Sequence, residues 1–167
     1  MRLQVNKAGF VDLDQLELLL SEDVAMVTCM LANNEIGSIQ PIAEMVKRVR
    51  AFEKNGHGRI LFHCDASQAG GKMVVDAQQL GVDYMTMAGH KIYATKGVGI
   101  LYIRDGTLEP TTIIHGANQE NGRRAGTENV ILCVGMGKAA ELIVGWKCVM
   151  FSKEYNRIYK IKWNKMG

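Results

Sequence analysis

The sequence predicts an α/β domain built on a mostly parallel sheet with flanking helices. Three observations point there. The hydrophobic period switches repeatedly between helical and strand-like spacing, the strand-like runs are short and nearly continuous in apolar residues, and polar side chains cluster just after those runs. With 47% hydrophobic residues in 167, the chain can bury one sizeable core, which sets the expectation at one domain.

Taken in order, "DLDQLELLL" from Asp12 sets Leu13, Leu16, Leu19 and Leu20 on one helical face. "VAMVTCML", 24–31, is a continuous apolar run bounded by "ANNEIG", the pattern of a strand buried on both sides in a parallel sheet. "IQPIAEMVKRVRAFEKNG" spaces Ile42, Met45, Val46, Val49 and Phe52 helically, with Pro41 near the first turn and Gly56 at the end. "RILFH", 59–63, predicts a second buried strand that runs into Cys64, Asp65 and "ASQAGG". A short helix near 76–80 precedes "DYMTMAG", a third strand ending at His90 and Lys91, and "GVGILYIR" follows as a fourth after a tight connection. No internal repeat or low-complexity linker interrupts this alternation.

Charge and cysteine usage narrow the class. The formal charge is +3, but 146–167 carries Lys147, Lys153, Arg157, Lys160, Lys162 and Lys165 against Glu154 alone, leaving 14 basic and 16 acidic residues elsewhere. Such a body offers no basic surface for nucleic acid. Cys29, Cys64, Cys133 and Cys148 have no short paired spacing, which predicts reduced thiols rather than a disulfide frame or a zinc site. No stretch approaches the roughly 20 apolar residues of a membrane helix, and "RLQVNKAGF" after Met1 lacks a secretory apolar core. The expected location is cytoplasmic.

Open α/β sheets bind ligands beyond the carboxyl ends of their strands. Here Asn33, Asn34 and Glu35 follow the first strand, Asp65 and Gln68 the second, and His90 and Lys91 the third. A carboxylate, an amide and an amine gathered there suit a ligand with a ring nitrogen, a hydroxyl and an aldehyde. Pyridoxal phosphate has that chemistry, and its enzymes use a lysine Schiff base and an acidic partner for the pyridinium nitrogen. A lysine amine attacks an aldehyde only when neutral, so burial in a low-dielectric crevice is expected at Lys91. Each residue alone has a plainer reading. Asp65 can cap a helix, Gln68 can be solvated, Asn33 and Asn34 can turn the chain, and Lys91 and Lys96 can be surface charges. His63 reads as a hydrogen-bonded strand residue, and "HCD" is too weak for a metal claim.

As an ordered set, "ANNEIG", "HCDASQAGGK", "AGHKIYATKGVGILYIR" and "HGANQENGRRAGTEN" resemble the class V aminotransferase family of fold type I pyridoxal-phosphate enzymes, in its cysteine desulfurase and selenocysteine lyase branch. The resemblance covers 1–145, and "GTENVILCVGMGKAAELI" is most similar to selenocysteine lyases. It implies the central part of the large domain, incomplete at both ends, with 146–167 a divergent basic tail. It also implies Lys91 as the Schiff-base lysine and proton shuttle, Asp65 on the pyridinium nitrogen, Gln68 on the phenolic oxygen, and Asn34 near cofactor and substrate carboxylate. His90 lies in the segment that helps hold the phosphate, and Thr127 matches a threonine that reaches the partner subunit's phosphate in a homodimer.

The implied reaction converts selenocysteine to alanine plus selenide at the selenium level, with cysteine as the sulfur counterpart, and this truncated chain is expected to be inactive by itself. A desulfurase, another class V enzyme, and a non-catalytic chain that dimerises with a complete subunit are the alternatives. Ala88 stands where many desulfurases carry a phosphate-binding serine, a departure that favours the selenium reading. The family's amino-terminal phosphate cradle, its ring-stacking aromatic residue, its sulfur-accepting cysteine and its carboxylate-binding arginine have no counterpart in this sequence. Exposed apolar sheet and helix surface is therefore expected.

Overall fold

The computed structural model describes residues 1–150, with side chains as far as Ile143. Four strands, β1 (Met26–Met30), β2 (Leu61–Asp65), β3 (Tyr84–Ala88) and β4 (Gly99–Ile103), form one sheet in sequential order. The first three are parallel and β4 runs antiparallel to β3. The helices are α1 (Leu13–Leu19), α2 (Ile42–Lys54), α3 (Ala77–Leu80) and α4 (Val130–Met150). The mostly parallel α/β class is as predicted, and the expected tail at 146–167 lies outside the described residues beyond Met150.

Local chemistry explains the element ends. Asp12 begins α1 by accepting from the backbone N–H groups of Asp14 and Gln15, each at 3.0 Å. In α2, Ile42, Met45, Val46 and Val49 form the buried face, and Pro41 stands immediately before the first turn. Asn55 and Gly56, the latter at φ +94°, end that helix in a conformation that favours glycine. Asp76 caps α3 through the N–H groups of Gln78 and Gln79. No periodicity marked α4 in advance, because its apolar residues lie on several sides. Met136 and Ala139 are buried, whereas Ile131 is 83% exposed and Val134 66%.

The core lies on one side of the sheet. Val27, Phe62, Cys64 and Met85 join Leu16 of α1 and Ile42, Met45 and Val49 of α2 in one cluster. A second, smaller cluster sets Met136 and Ala139 of α4 on Ile92, with Met87 packed against both clusters. The alternation of a strand sends Leu61, His63 and Asp65 to the opposite face. On that face Met26 and Met30 are 47% and 39% exposed. The expectation that β1 is buried on both sides is thus corrected. An unbroken apolar run allows two-sided cover, but the described helices all pack on the other face.

A buried carboxylate ties α2 to the sheet. Asp83, just before β3, is fully buried and accepts from Arg50 Nη2 at 2.5 Å, Arg59 Nη2 at 2.6 Å and the Phe62 backbone N–H at 2.7 Å. Glu53 completes the network by pairing with Arg50 and Arg59 and accepting from the Ile60 N–H. Every charge in it meets an opposite charge or a backbone dipole, the condition under which buried ions are tolerated.

Candidate active site

Parallel strands end at the same rim, so topology brings the candidate residues together. β1 delivers Asn33 and Asn34, β2 ends on Asp65, and β3 leads into a 3₁₀ turn, Gly89–Lys91. Asp65 is therefore the last strand residue rather than the first loop residue, paired with Met30 on one side and Thr86 on the other. Its Oδ1 accepts from the Ser67 N–H at 2.9 Å, and Oδ2 has no hydrogen bond among the described residues. Asn33 serves the turn: its Oδ1 accepts from the N–H groups of Glu35 and Ile36. Asn34 is exposed beside it. Gln68 is half-buried, with its Oε1 held by Lys72.

Lys91 sits on a tightly built support. Gly89 donates to Val98 O at 3.0 Å and its carbonyl accepts from Ile92 and Ala94. A Cβ on Gly89 would lie 2.9 Å from that same Val98 oxygen, so only glycine fits. Ile92, 1% exposed, anchors the turn under α4, while His90 and Lys91 are exposed. Tyr93 then adopts φ +65°, a strained conformation for an aromatic residue and one that often accompanies functional loops. The predicted burial of Lys91 is corrected: no described residue supplies a low-dielectric crevice around its amine. Its exposure follows from the turn, which spends its buried positions on Gly89 and Ile92.

The structure brings Asn34, Asp65, Gln68, His90 and Lys91 to the carboxyl end of the sheet. Thr127 is not at a strand end; it is exposed in the loop that enters α4. A recess of about 710 Å³ lies elsewhere, along β1 against α1, and contains none of these six residues.

His63 is recognisable in the sequence as a hydrogen-bonded strand residue, whereas its partners are not. Its Nδ1 is 2.7 Å from Thr28 Oγ1 and its Nε2 is 3.2 Å from Thr86 Oγ1, so the ring spans three strands one step before Asp65 on the same face. Parallel register aligns Thr28 with His63, and neither threonine is marked by any local pattern. Burial lowers the His63 pKa and nearby Asp65 partly opposes this. A depressed folded-state pKa means that the unfolded chain binds the proton more readily. The His63 contribution to stability is therefore present above the unfolded value of about 6.5 and lost as pH falls below it. Urea midpoints should accordingly fall between pH 7.5 and 5.5 more steeply for the native chain than for His63→Gln. Equal slopes would contradict this.

The cysteines divide by burial. Burial pushes the Cys29 thiol to about 11 and the Cys64 thiol to about 12, which leaves both unreactive near neutrality. Cys133 is exposed on α4. Among the described residues, no helix is long and apolar enough to cross a membrane.

Residues 1–161 match the family model described as Aminotransferase class-V. The chain belongs to the class V aminotransferase family. Within it, the "Cysteine desulfurase IscS" of Dictyoglomus turgidum is 44% identical over 161 residues, covering 96% of this chain and 38% of that protein. A solved "NifS-like protein" superposes with a TM-score of 0.81 at 41% identity, covering 87% of this chain and 39% of the other. The structure titled "SspA in complex with cysteine" gives a TM-score of 0.76 at 36% identity, over 84% and 39%. This class V chain therefore spans about two-fifths of the length of these relatives. Their names support the desulfurase alternative over the narrower selenocysteine lyase expectation.

Proposed function

We propose that this chain carries the lysine-bearing part of a pyridoxal-phosphate-dependent cysteine desulfurase. The observation that carries the reading is the placement of Asp65 and Lys91 at one rim, at the ends of adjacent parallel strands, with Asp65 Oδ2 left without a hydrogen bond. The donor set fits the cofactor: an ionisable carboxylate for a pyridinium N–H, an amide for a phenolic oxygen, and an amine for an aldehyde. When bound, the cofactor supplies an electron sink for the bond changes at the substrate's α- and β-carbons.

The protein's own groups do the rest. Asp65 accepts the ring N–H, its rotation limited by the Ser67 N–H on Oδ1. Gln68 donates to the phenolic oxygen. Lys91 holds the cofactor and moves the proton at the substrate's α-carbon. Asn34 binds near the substrate carboxylate, while His90 and Thr127 serve the phosphate, Thr127 across a homodimer. In the net reaction, cysteine loses its sulfur atom to an acceptor thiol, which becomes a persulfide, and leaves as alanine. Cys29 and Cys64 are poor acceptors because their thiols stay protonated. The acceptor is assigned to a thiol outside this set.

The test is to incubate the chain with pyridoxal phosphate, reduce with borohydride and map the modified peptide. Alanine and sulfide released from cysteine with dithiothreitol are then assayed, with selenocysteine in parallel. The reading expects the adduct at Lys91, and alanine from cysteine in the protein that contains the complete site. An adduct confined to other lysines would reject it. Faster turnover of selenocysteine would return the substrate to selenium.

A further inference from the structure

After β2 the chain turns tightly, with Gly70 N–H bonding to Ala66 O and Met73 N–H to Ala69 O. This places residue 72 one turn beyond residue 68. Lys72 Nζ lies 2.8 Å from the Gln68 backbone oxygen and 3.1 Å from Gln68 Oε1. An ammonium has three donors and no acceptor, so it can bind only the oxygen end of a primary amide. The two ends of that amide point apart, and holding Oε1 turns Nε2 outward as a donor.

We infer that Lys72 is a positioning residue that sets the polarity of the Gln68 amide, so that the site offers a hydrogen donor and selects the ionised form of the cofactor's phenolic oxygen. The inference rests on the role proposed above for Gln68. Without Lys72 the amide can rotate, and its carbonyl end would favour the protonated phenol instead. Charge at position 72 alone would also attract an anionic cofactor, so the test must separate amide polarity from long-range attraction.

The test uses pyridoxal phosphate as the probe. It compares Lys72→Met, Lys72→Arg and Lys72→Glu, each in the native background and beside Gln68→Ala. Lys72 is exposed, so these changes should leave the fold intact, as urea midpoints can verify. In the native background, Lys72→Met should weaken cofactor binding by about fivefold to tenfold and move absorbance from the visible band to the near-ultraviolet band at constant pH. Lys72→Glu should do both more strongly, because its carboxylate takes the Nε2 end, and Lys72→Arg should restore both. Beside Gln68→Ala the band shift should vanish. If Lys72→Met shifts neither property, or shifts the bands equally in both backgrounds, the inference fails while the proposed function stands. If the native chain forms no adduct at Lys91, both fail together.

Discussion

Replacing Lys91 by alanine should leave the chain folded and eliminate the borohydride-fixed cofactor adduct. The side chain is exposed, and the turn that carries it is held by Gly89 and by the buried Ile92, neither of which the substitution touches. The unfolding free energy read from urea titrations should therefore change by no more than about 0.5 kcal/mol, as for other surface changes. Turnover of cysteine in the protein that contains the complete site should fall by at least about 10²-fold to 10⁴-fold, the range for loss of a positioned proton-transfer group, with loss of the covalent attachment adding to it. Lys91→Arg should fail similarly, since a guanidinium stays protonated and cannot attack an aldehyde. Peptide mapping and alanine assays check both. Undiminished turnover, or an adduct that persists on Lys96, would remove Lys91 from the chemistry.

The largest expected effect on stability is at Asp83. Alanine there removes the acceptor for two guanidinium groups and one backbone N–H, all facing a side chain with no solvent exposure. Breaking one partner out of a buried ion pair costs about 3–5 kcal/mol, a large share of the roughly 5–15 kcal/mol that holds an ordinary domain together. Asp83→Ala should therefore unfold at much lower urea, or be unfolded without it. Arg59→Ala is the control that keeps the argument testable. The Arg59 side chain is 52% exposed, and Arg50 and the Phe62 N–H still occupy Asp83 when it is removed, so its cost should be about 1 kcal/mol or less. Similar losses for the two variants would mean that Asp83 is not the centre of the network.

The legible parts of the fold were those with local causes. The spacing of Ile42, Met45, Val46 and Val49, closed by Gly56, marked α2 closely, and the short helix expected near 76–80 is α3, begun by Asp76. The candidate residues were found because strand ends are recognisable and parallel strands must end together. What escaped detection depends on contacts between distant residues. Asp83 meets Arg59 and Arg50 across 24 and 33 residues, and no local pattern reveals such a partnership. β2 was expected over 59–63 but runs Leu61–Asp65, because Arg59 is drawn into that ion network and the ladder with β1 begins at Leu61. Two-sided burial of β1 failed for a related reason: apolar composition shows what a strand tolerates, whereas cover depends on what packs there. Lys72 lies within one of the family-like motifs, yet only the contact of its ammonium with the Gln68 amide gives it a role.

The alternation along β2 also decides which of its substitutions the core would feel. Phe62 and Cys64 point into the packed interior, while Asp65 points to the open side, so a change at this candidate carboxylate leaves the packed side chains beside it in place.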